Sequence, residues 1–448
     1  MTKKTRLIIL IFCVVCFFVI APILVAYSMG YRFDFEKDNI VATGGIYVRT
    51  FPAADKITID SKISQKPGLF SNWIFTQSLL PKKHTILVEK AGYYDYSKTL
   101  PVEENQVAKI ENVLLIKKSI TFTDLVNNVD YFSIAPNNQN IITASSGAKS
   151  TNFSYFSSAS PTQTETFSVA VSGTAPTIAW SGDSSNALIK IIGANNTFYY
   201  LFITAQVTPL IKPTAMRLSY LDKTAEEIAF DPQNPKIIFY IKNNILYSTN
   251  GTAPLAIIKN VVSYKISGST ITWMSTKGVL ESSDLSGKLI NNLSLTNFEV
   301  DPAKTYEISQ ISQNTFLKEN SALYELNQNT KKFTAFAVPM SDYKVLPSPD
   351  GKNLLYCGTG KIYLYPHATE KFTPLYSGSQ ISNCEWLNND YIIFSDADKI
   401  IISEIDYRGN INTITLAQPA NSVYFNPQDG KLYVLAQKEL LESEKITP

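Results

Sequence analysis

The chain has 448 residues, with 40 Lys and Arg against 38 Asp and Glu, for a formal net charge of +2. At roughly 100 to 200 residues per domain the length suits two or three domains, and so even a charge balance argues against a nucleic-acid partner. With 24 Phe and 25 Tyr but only 19 Gly, the composition is that of a folded, strand-rich protein and excludes a disordered one.

At the N-terminus Lys3, Lys4 and Arg6 precede Leu7 to Tyr31, a run of 25 residues without a charge. About 20 residues of helix cross a hydrocarbon core, so this run is long enough to span one. Pro22 is expected to kink it near its outer end. The basic cluster keeps residues 1–6 in the cytoplasm and sends the rest outward. A cleaved signal peptide is the competing reading, with Ala26-Tyr27-Ser28 as its cleavage site. The apolar run exceeds the usual ~7 to 15 residues of a signal core, which favours a retained anchor. Cys13 and Cys16 lack the preceding pattern of a lipidation signal. The expected organisation is therefore a cytoplasmic stub and transmembrane helix over 1–31, a juxtamembrane linker over 32–42, and an extracytoplasmic remainder.

From Thr43 the pattern changes to alternation. Ile46, Val48 and Phe51 alternate, Pro52 to Asp55 turns, and Ile57 and Ile59 alternate again, which predicts a hairpin. A loop over Ser61 to Thr76 carries the aromatics Phe70, Trp73 and Phe75. Leu80 to His84 makes a further turn, Thr85 to Glu89 a strand, and Ala91-Gly92-Tyr93 a turn into a last pair of strands ending at Ile116. The order Gly45-Ile46-Tyr47-Val48, Pro52-Ala53-Ala54, Ile57-Thr58-Ile59-Asp60, Leu80-Pro81, His84 to Val88 and Gly92-Tyr93 resembles the PEGA domain, a small surface-associated β-sandwich. Ser61 and Lys82 stand where that family usually has Gly, both at turns. Over residues 43–117 the resemblance implies an extracytoplasmic binding or spacer module with no catalytic role.

Residues 118–448 repeat one grammar of strand, tight turn and strand. Its clearest copy is Val345 to Pro366, in which Pro349-Asp350-Gly351 presets a turn and Lys352 to Tyr356 resumes the strand. Blade cores fall near Ile134, Ile178, Ile228, Ile271, Gln313, Val345, Cys384 and Val423. A repeat of roughly 40 residues with four short strands predicts a β-propeller. Eight blades are expected, with seven as the alternative because the units at Ile271 and Gln313 are degenerate. The last blade runs out of chain after three strands, and Ser119 to Asp124 has the alternation to supply the fourth and close the ring. Ser348-Pro349-Asp350-Gly351 makes the repeats similar to the PD40 or TolB-like class of propeller, whereas the Gly-His and Trp-Asp pairing of WD40 repeats is missing.

Chemistry is sparse in this sequence. His84 and His367 are the only histidines, which excludes a triad or a multi-histidine metal site. No phosphate-binding loop, nucleophile elbow or zinc helix motif occurs. Paired carboxylates acting on a glycan remain a possibility, with Asp183, Asp231, Asp301, Asp350 and Asp429 as candidates. Each lies in or beside a turn, where Asx-type bonds are the simpler role. Tyr199, Tyr200, Phe202, Tyr240, Tyr247, Tyr356, Tyr363 and Tyr365 read as packing between blades ahead of a sugar-stacking platform. Cys357 and Cys384 read as two separate buried thiols ahead of a bridge, given the Cα spacing of about 4.4 to 6.8 Å that a bridge demands. No catalytic, cofactor-binding or metal-binding residue is nominated. The expected function is that of a membrane-anchored extracytoplasmic scaffold of the cell envelope. Its propeller binds a protein, peptide or glycan partner, and it uses no cofactor. A carboxylate-dependent glycan-active enzyme, or an accessory subunit of a separate hydrolase, is the alternative.

Overall fold

A computed structural model describes residues 3–174, 176–204, 213–251, 253–311 and 314–447. The described chain is mainly β, with an apolar N-terminal helix, Lys3–Ser28, that contains Pro22. The most apolar 18-residue window of Lys4–Ser28 has a mean hydropathy of 3.4 and none of it is buried, so by length and composition the segment can cross a membrane. The stretch expected as a linker is structured: Tyr31–Asp34 and Asn39–Ala42 form an antiparallel hairpin.

Two sheets follow. In one, Gly44–Phe51 runs between Trp73–Leu79 and Val107–Leu114, antiparallel to the first and parallel to the second. The other has the order Ile63–Gln65, Lys56–Ile59, Lys83–Glu89, Tyr96–Pro101. This overturns the expected hairpin across Pro52 to Asp55, because the strands on either side of that turn belong to different sheets. The physical reason is burial. Ile46 and Val48 on one strand and Ile57 and Ile59 on the other are all fully buried in a single core, which two facing sheets achieve and a lone two-stranded ribbon does not. Thr50 holds the crossing, its Oγ1 accepting the Ala54 N–H at 3.0 Å. Ser61 adopts a φ of +56° directly after Asp60 at +51°, the left-handed backbone for which glycine is the usual choice.

Eight four-stranded antiparallel sheets make up the rest of the described chain. Blades 1 to 7 span 131–169, 177–217, 226–259, 261–292, 306–336, 344–377 and 381–419, each with its strands in sequence order. Blade 8 takes Ser422–Asn426, Lys431–Ala436 and Glu439–Ser443 from the C-terminus, and Phe122–Asn127 pairs with the last of these as its fourth strand. Both chain ends thus share one sheet, which closes a β-propeller and removes the edge an open ring would leave. Neighbouring blades approach closest at their first strands, as between Val261–Ser267 and Tyr306–Ile311. The first strands therefore surround the axis and the fourth strands form the rim.

The degenerate units are real blades, and in the first of them the sequence marker falls one strand late. Ile271 belongs to the second strand of blade 4, Thr270–Ser275. The turn before it is a tight one, with Ser267 opposite Thr270 and Gly268 at φ +56°, so no Pro-Asp-Gly signature is needed there. Gln313 itself lies outside the described residues. In blade 5 the first two strands pair from Tyr306 opposite Glu319 to Ile311 opposite Asn314.

The cysteines correct another expectation. Cys357, at the end of the second strand of blade 6, is bonded to Cys384 in the first strand of blade 7, with their Cα atoms 6.3 Å apart. Inter-blade packing brings these two strands together, which residue spacing along the chain does not show. A bridge closing a loop of this size contributes about 2 to 4 kcal/mol, chiefly by restricting the unfolded chain.

Candidate interaction site

The junction between the sandwich and blade 7 is built around one buried lysine. In the strand Tyr96–Pro101, Tyr96, Lys98 and Leu100 face inward, and Lys98 is fully buried. Its Nζ donates to Glu404 Oε1 at 2.7 Å and to the Asp406 carbonyl, and lies 3.5 Å from Asp406 Oδ2. Glu404, the last residue of the strand Lys399–Glu404, also accepts from Tyr96 Oη at 2.9 Å and from the backbone and side-chain nitrogens of Asn412 at 2.8 Å. Every oxygen of the buried carboxylate is thereby engaged, the condition under which a buried ion pair holds its geometry. Burial, followed by the Glu404 charge, pushes the Tyr96 hydroxyl far above its ordinary pKa. Asp406 titrates low: burial opposes its charge, but Arg408 and Lys98 outweigh that.

Residues 405–412, the loop after Glu404, wrap the sandwich strand. Asn410 accepts the Thr99 N–H and donates to the Ser97 carbonyl, and Arg408 donates to the Lys109 carbonyl. Gly409, at φ +72°, comes so close that a Cβ would lie 2.2 Å from the Thr99 oxygen, so only glycine fits there. Beneath the loop, Leu114 and Ile116 share a core with Tyr391, Ile393, Leu416 and Val434 of blades 7 and 8. All these contacts fall on the rim and on the propeller face formed by first-to-second and third-to-fourth strand connections. Beside the junction lies a cleft of about 530 Å³, where Lys109, Glu111 and Asn112 of the sandwich face Pro366, Asp390 and Tyr407 of blades 6 and 7. Pockets concentrate at such domain junctions, and burial raises the Asp390 carboxyl above its usual range.

A second pair of sites lies near the axis. Glu227 in the first strand of blade 3 accepts the Tyr264 N–H of blade 4 at 2.9 Å, and Glu385 in the first strand of blade 7 accepts the Phe425 N–H of blade 8 at 3.0 Å. Both strands carry a bulge at this point, with Glu227 at φ +46° and Asn383 at φ +49°. Bulges re-aim side chains, and here each sends a glutamate across to the next blade. Burial pushes both carboxyls up to about 7, and the neighbouring Glu307 and Glu226 charges add to this at Glu227.

The carboxylates singled out by sequence are engaged in turn bonds, each in a different connection of the propeller. Asp183 Oδ1 accepts from Ser181 Oγ and Ser185 N, Asp231 Oδ1 from Gln233 N, Asp301 Oδ1 from Ala303 N, Asp350 Oδ1 from Ser348 Oγ and Lys352 N, and Asp429 Oδ1 from Lys431 N. His84 is buried at the start of Lys83–Glu89, 2.6 Å from Asp60 and 2.8 Å from the Leu80 carbonyl. His367 lies in the connection after Lys361–Pro366. Tyr199, Tyr200, Phe202, Tyr240 and Tyr356 are buried, and Phe153 and Phe167 of blade 1 stack through to Phe202 of blade 2. Tyr247 stacks on Tyr240 at 5.4 Å, while Tyr363 and Tyr365 pack around Phe372. Among the described residues no cluster of three or more His, Cys, Asp or Glu is placed to hold a metal ion.

Lys98, Glu404, Glu227 and Glu385 escape a motif search. One signal was available: Lys98 occupies the apolar phase of Tyr96-x-Lys98-x-Leu100, and a lysine on a buried face requires an anionic partner.

The molecule belongs to the class of β-propeller proteins. No protein-family model matches the chain, and no curated protein matches its sequence. Among solved structures it is similar to the Dos1 propeller, with 11% identity and a TM-score of 0.48 over 73% of this chain and 95% of that one. Similarity extends to BamB from Moraxella catarrhalis, with 10% identity and a TM-score of 0.44 over 72% and 97%. Sqt1 from Saccharomyces cerevisiae matches with 10% identity and a TM-score of 0.48 over 74% and 100%.

Proposed function

We propose that this chain is a membrane-anchored extracytoplasmic scaffold of the cell envelope. The helix Lys3–Ser28 is the anchor, with residues 1–6 in the cytoplasm. The PEGA-like sandwich over 43–117 is the stalk, and the propeller over 118–448 presents one face to a protein, peptide or glycan partner. The observation that carries this reading is the buried Lys98–Glu404 junction with its wrapping loop. A tether that merely connected two bodies would need no ion pair in its interface. This one fixes which way the propeller points. It occupies the face of first-to-second strand turns at blade 7, so the opposite face, made by second-to-third strand turns, is the one on offer. The Cys357–Cys384 bridge supports an oxidising compartment.

Exposed lysines make the face testable. Lys149, Lys277, Lys361, Lys399 and Lys438 sit at or beside second-to-third strand turns, whereas Lys236 and Lys352 sit at first-to-second strand turns. Amine-reactive cross-linking of the full-length protein in its native membrane should join a partner to the first group. Cross-links confined to Lys236 and Lys352 would reverse the assignment of the face. Turnover of a glycan or peptide substrate by the purified chain, lost on changing one carboxylate, would replace the scaffold by the enzyme.

A further inference from the structure

The segment that joins helix to sandwich has no free joint. Arg32 Nη1 donates to the carbonyls of Tyr27 and Tyr31 at 2.7 and 2.8 Å, its guanidinium lies 3.4 Å over the Tyr27 ring, and Nη2 reaches Ser78 Oγ at 3.2 Å. Thr43 donates from both N and Oγ1 to the Gly30 carbonyl just past the helix end. Helix, hairpin and sandwich are thus bonded into one unit. Counting from Leu7, about 20 helical residues cross the hydrocarbon. The far boundary then falls near Ala26, and the hairpin Tyr31–Ala42 begins within about a turn of it.

The hairpin has two unlike faces. On one face Asp34 and Val41 are buried. On the other face Phe33 stands directly opposite Ile40, Tyr31 lies two residues along, and the Phe35 ring packs edge-on at 4.9 Å from Phe33. All four are exposed, Phe35 to 85% and Ile40 to 62%. Four large apolar side chains on one short ribbon form a face that water does not favour, and aromatic residues beside a spanning helix are at home at headgroup level.

We propose that this hairpin lies in the boundary between lipid headgroups and acyl chains, with Phe33, Phe35 and Ile40 immersed, so that the bilayer sets the tilt of the sandwich and the propeller. The inference rests on the helix being a membrane anchor. The bilayer is the chosen occupant because the apolar face is continuous with that helix, through bonds that leave the hairpin no freedom to swing away.

The test uses the full chain in phosphatidylcholine–phosphatidylglycerol vesicles, with Cys13 and Cys16 changed to Ala. Single spin labels are introduced by Phe18→Cys, Phe35→Cys, Ile40→Cys and Leu69→Cys, and depth is read from collisions with oxygen against a water-soluble nickel chelate. Leu69 is an exposed control at the far end of the strand Gly44–Phe51, beyond the Arg49–Trp73 pair. Positions 35 and 40 should favour oxygen and lie within about 5 to 10 Å of the headgroups. Position 18 should read as hydrocarbon, and position 69 as water. Labels at 35 and 40 that read as water while position 18 reads as hydrocarbon would overturn the inference and leave the anchor standing. Labels there shielded from both reagents would overturn it in favour of a protein cover. A label at 18 that reads as water would remove the anchor, and the hairpin proposal with it.

Discussion

Glu227 and Glu385 do the same job on nearly opposite sides of the ring. Each is half-buried and reaches from one blade's first strand to a backbone N–H of the next. Raised to about 7, each retains its proton in the native state at pH values where the unfolded chain has lost it. Below the ordinary glutamate pKa of about 4.3 both states are protonated and the groups have no effect on stability. As pH rises toward 7 they subtract from it, and above 7 the deficit is constant. After discounting for the water that reaches a half-buried group, the deficit is roughly 1 to 3 kcal/mol per residue. Glu385→Gln and Glu227→Gln should therefore raise the denaturant midpoint at pH 8 and leave it unchanged near pH 4. Lys98 acts in the opposite sense, because its pair is complete. Lys98→Ala leaves the Glu404 carboxylate buried without its cation and should cost about 3 to 5 kcal/mol. The double change Lys98→Met with Glu404→Leu should recover much of that loss. A double variant no better than Lys98→Ala would show that the pair contributes more than mutual neutralisation.

Among the strands, Phe122–Asn127 has a consequence out of proportion to its length. It pairs with Glu439–Ser443 from Phe122 opposite Ser443 to Asn127 opposite Glu439, and joins parts of the chain more than 300 residues apart. Without it blade 8 keeps three strands and an open edge. Deletion of 119–124 should lower the thermal midpoint of the propeller in a single cooperative transition and promote association through the freed strand. A midpoint that did not move would show that the ring holds without this strand. Blades 4 and 5 teach a different lesson about elements. Their cores are as buried as the others, with Ile271, Met274 and Leu317 fully enclosed. What blade 4 lacks is only the turn residue by which repeats are recognised, since a two-residue connection with Gly268 at φ +56° suffices.

At the scale of the molecule, helix, sandwich and propeller form one mechanical line: helix bonded to hairpin, hairpin to sandwich, sandwich to blade 7. The proposed orientation predicts that protease added to intact cells removes the ectodomain while residues 1–6 stay protected. Protection of residues 43–447 until lysis would invert it. The same continuity predicts that limited proteolysis does not release sandwich and propeller as separate stable pieces. Leu114 and Ile116 share a core with blades 7 and 8, so cutting between the two bodies exposes apolar surface in both.

Local order was legible in the sequence. An uncharged run of 25 residues marks an apolar helix, and period-two alternation between turn residues marks strands. The eightfold recurrence, together with a last blade one strand short, even indicated how the ring closes. These features depend on neighbours along the chain. The candidate site depends on residues far apart. Lys98 meets Glu404 across 306 residues, Cys357 meets Cys384 because two blades abut, and the strands around Pro52 part company because a shared core places them in different sheets. Pairing partners, the covered face of the propeller and the protonation of Glu227 and Glu385 are set by burial. Burial is a property of the packed whole, and only the tertiary structure decided it.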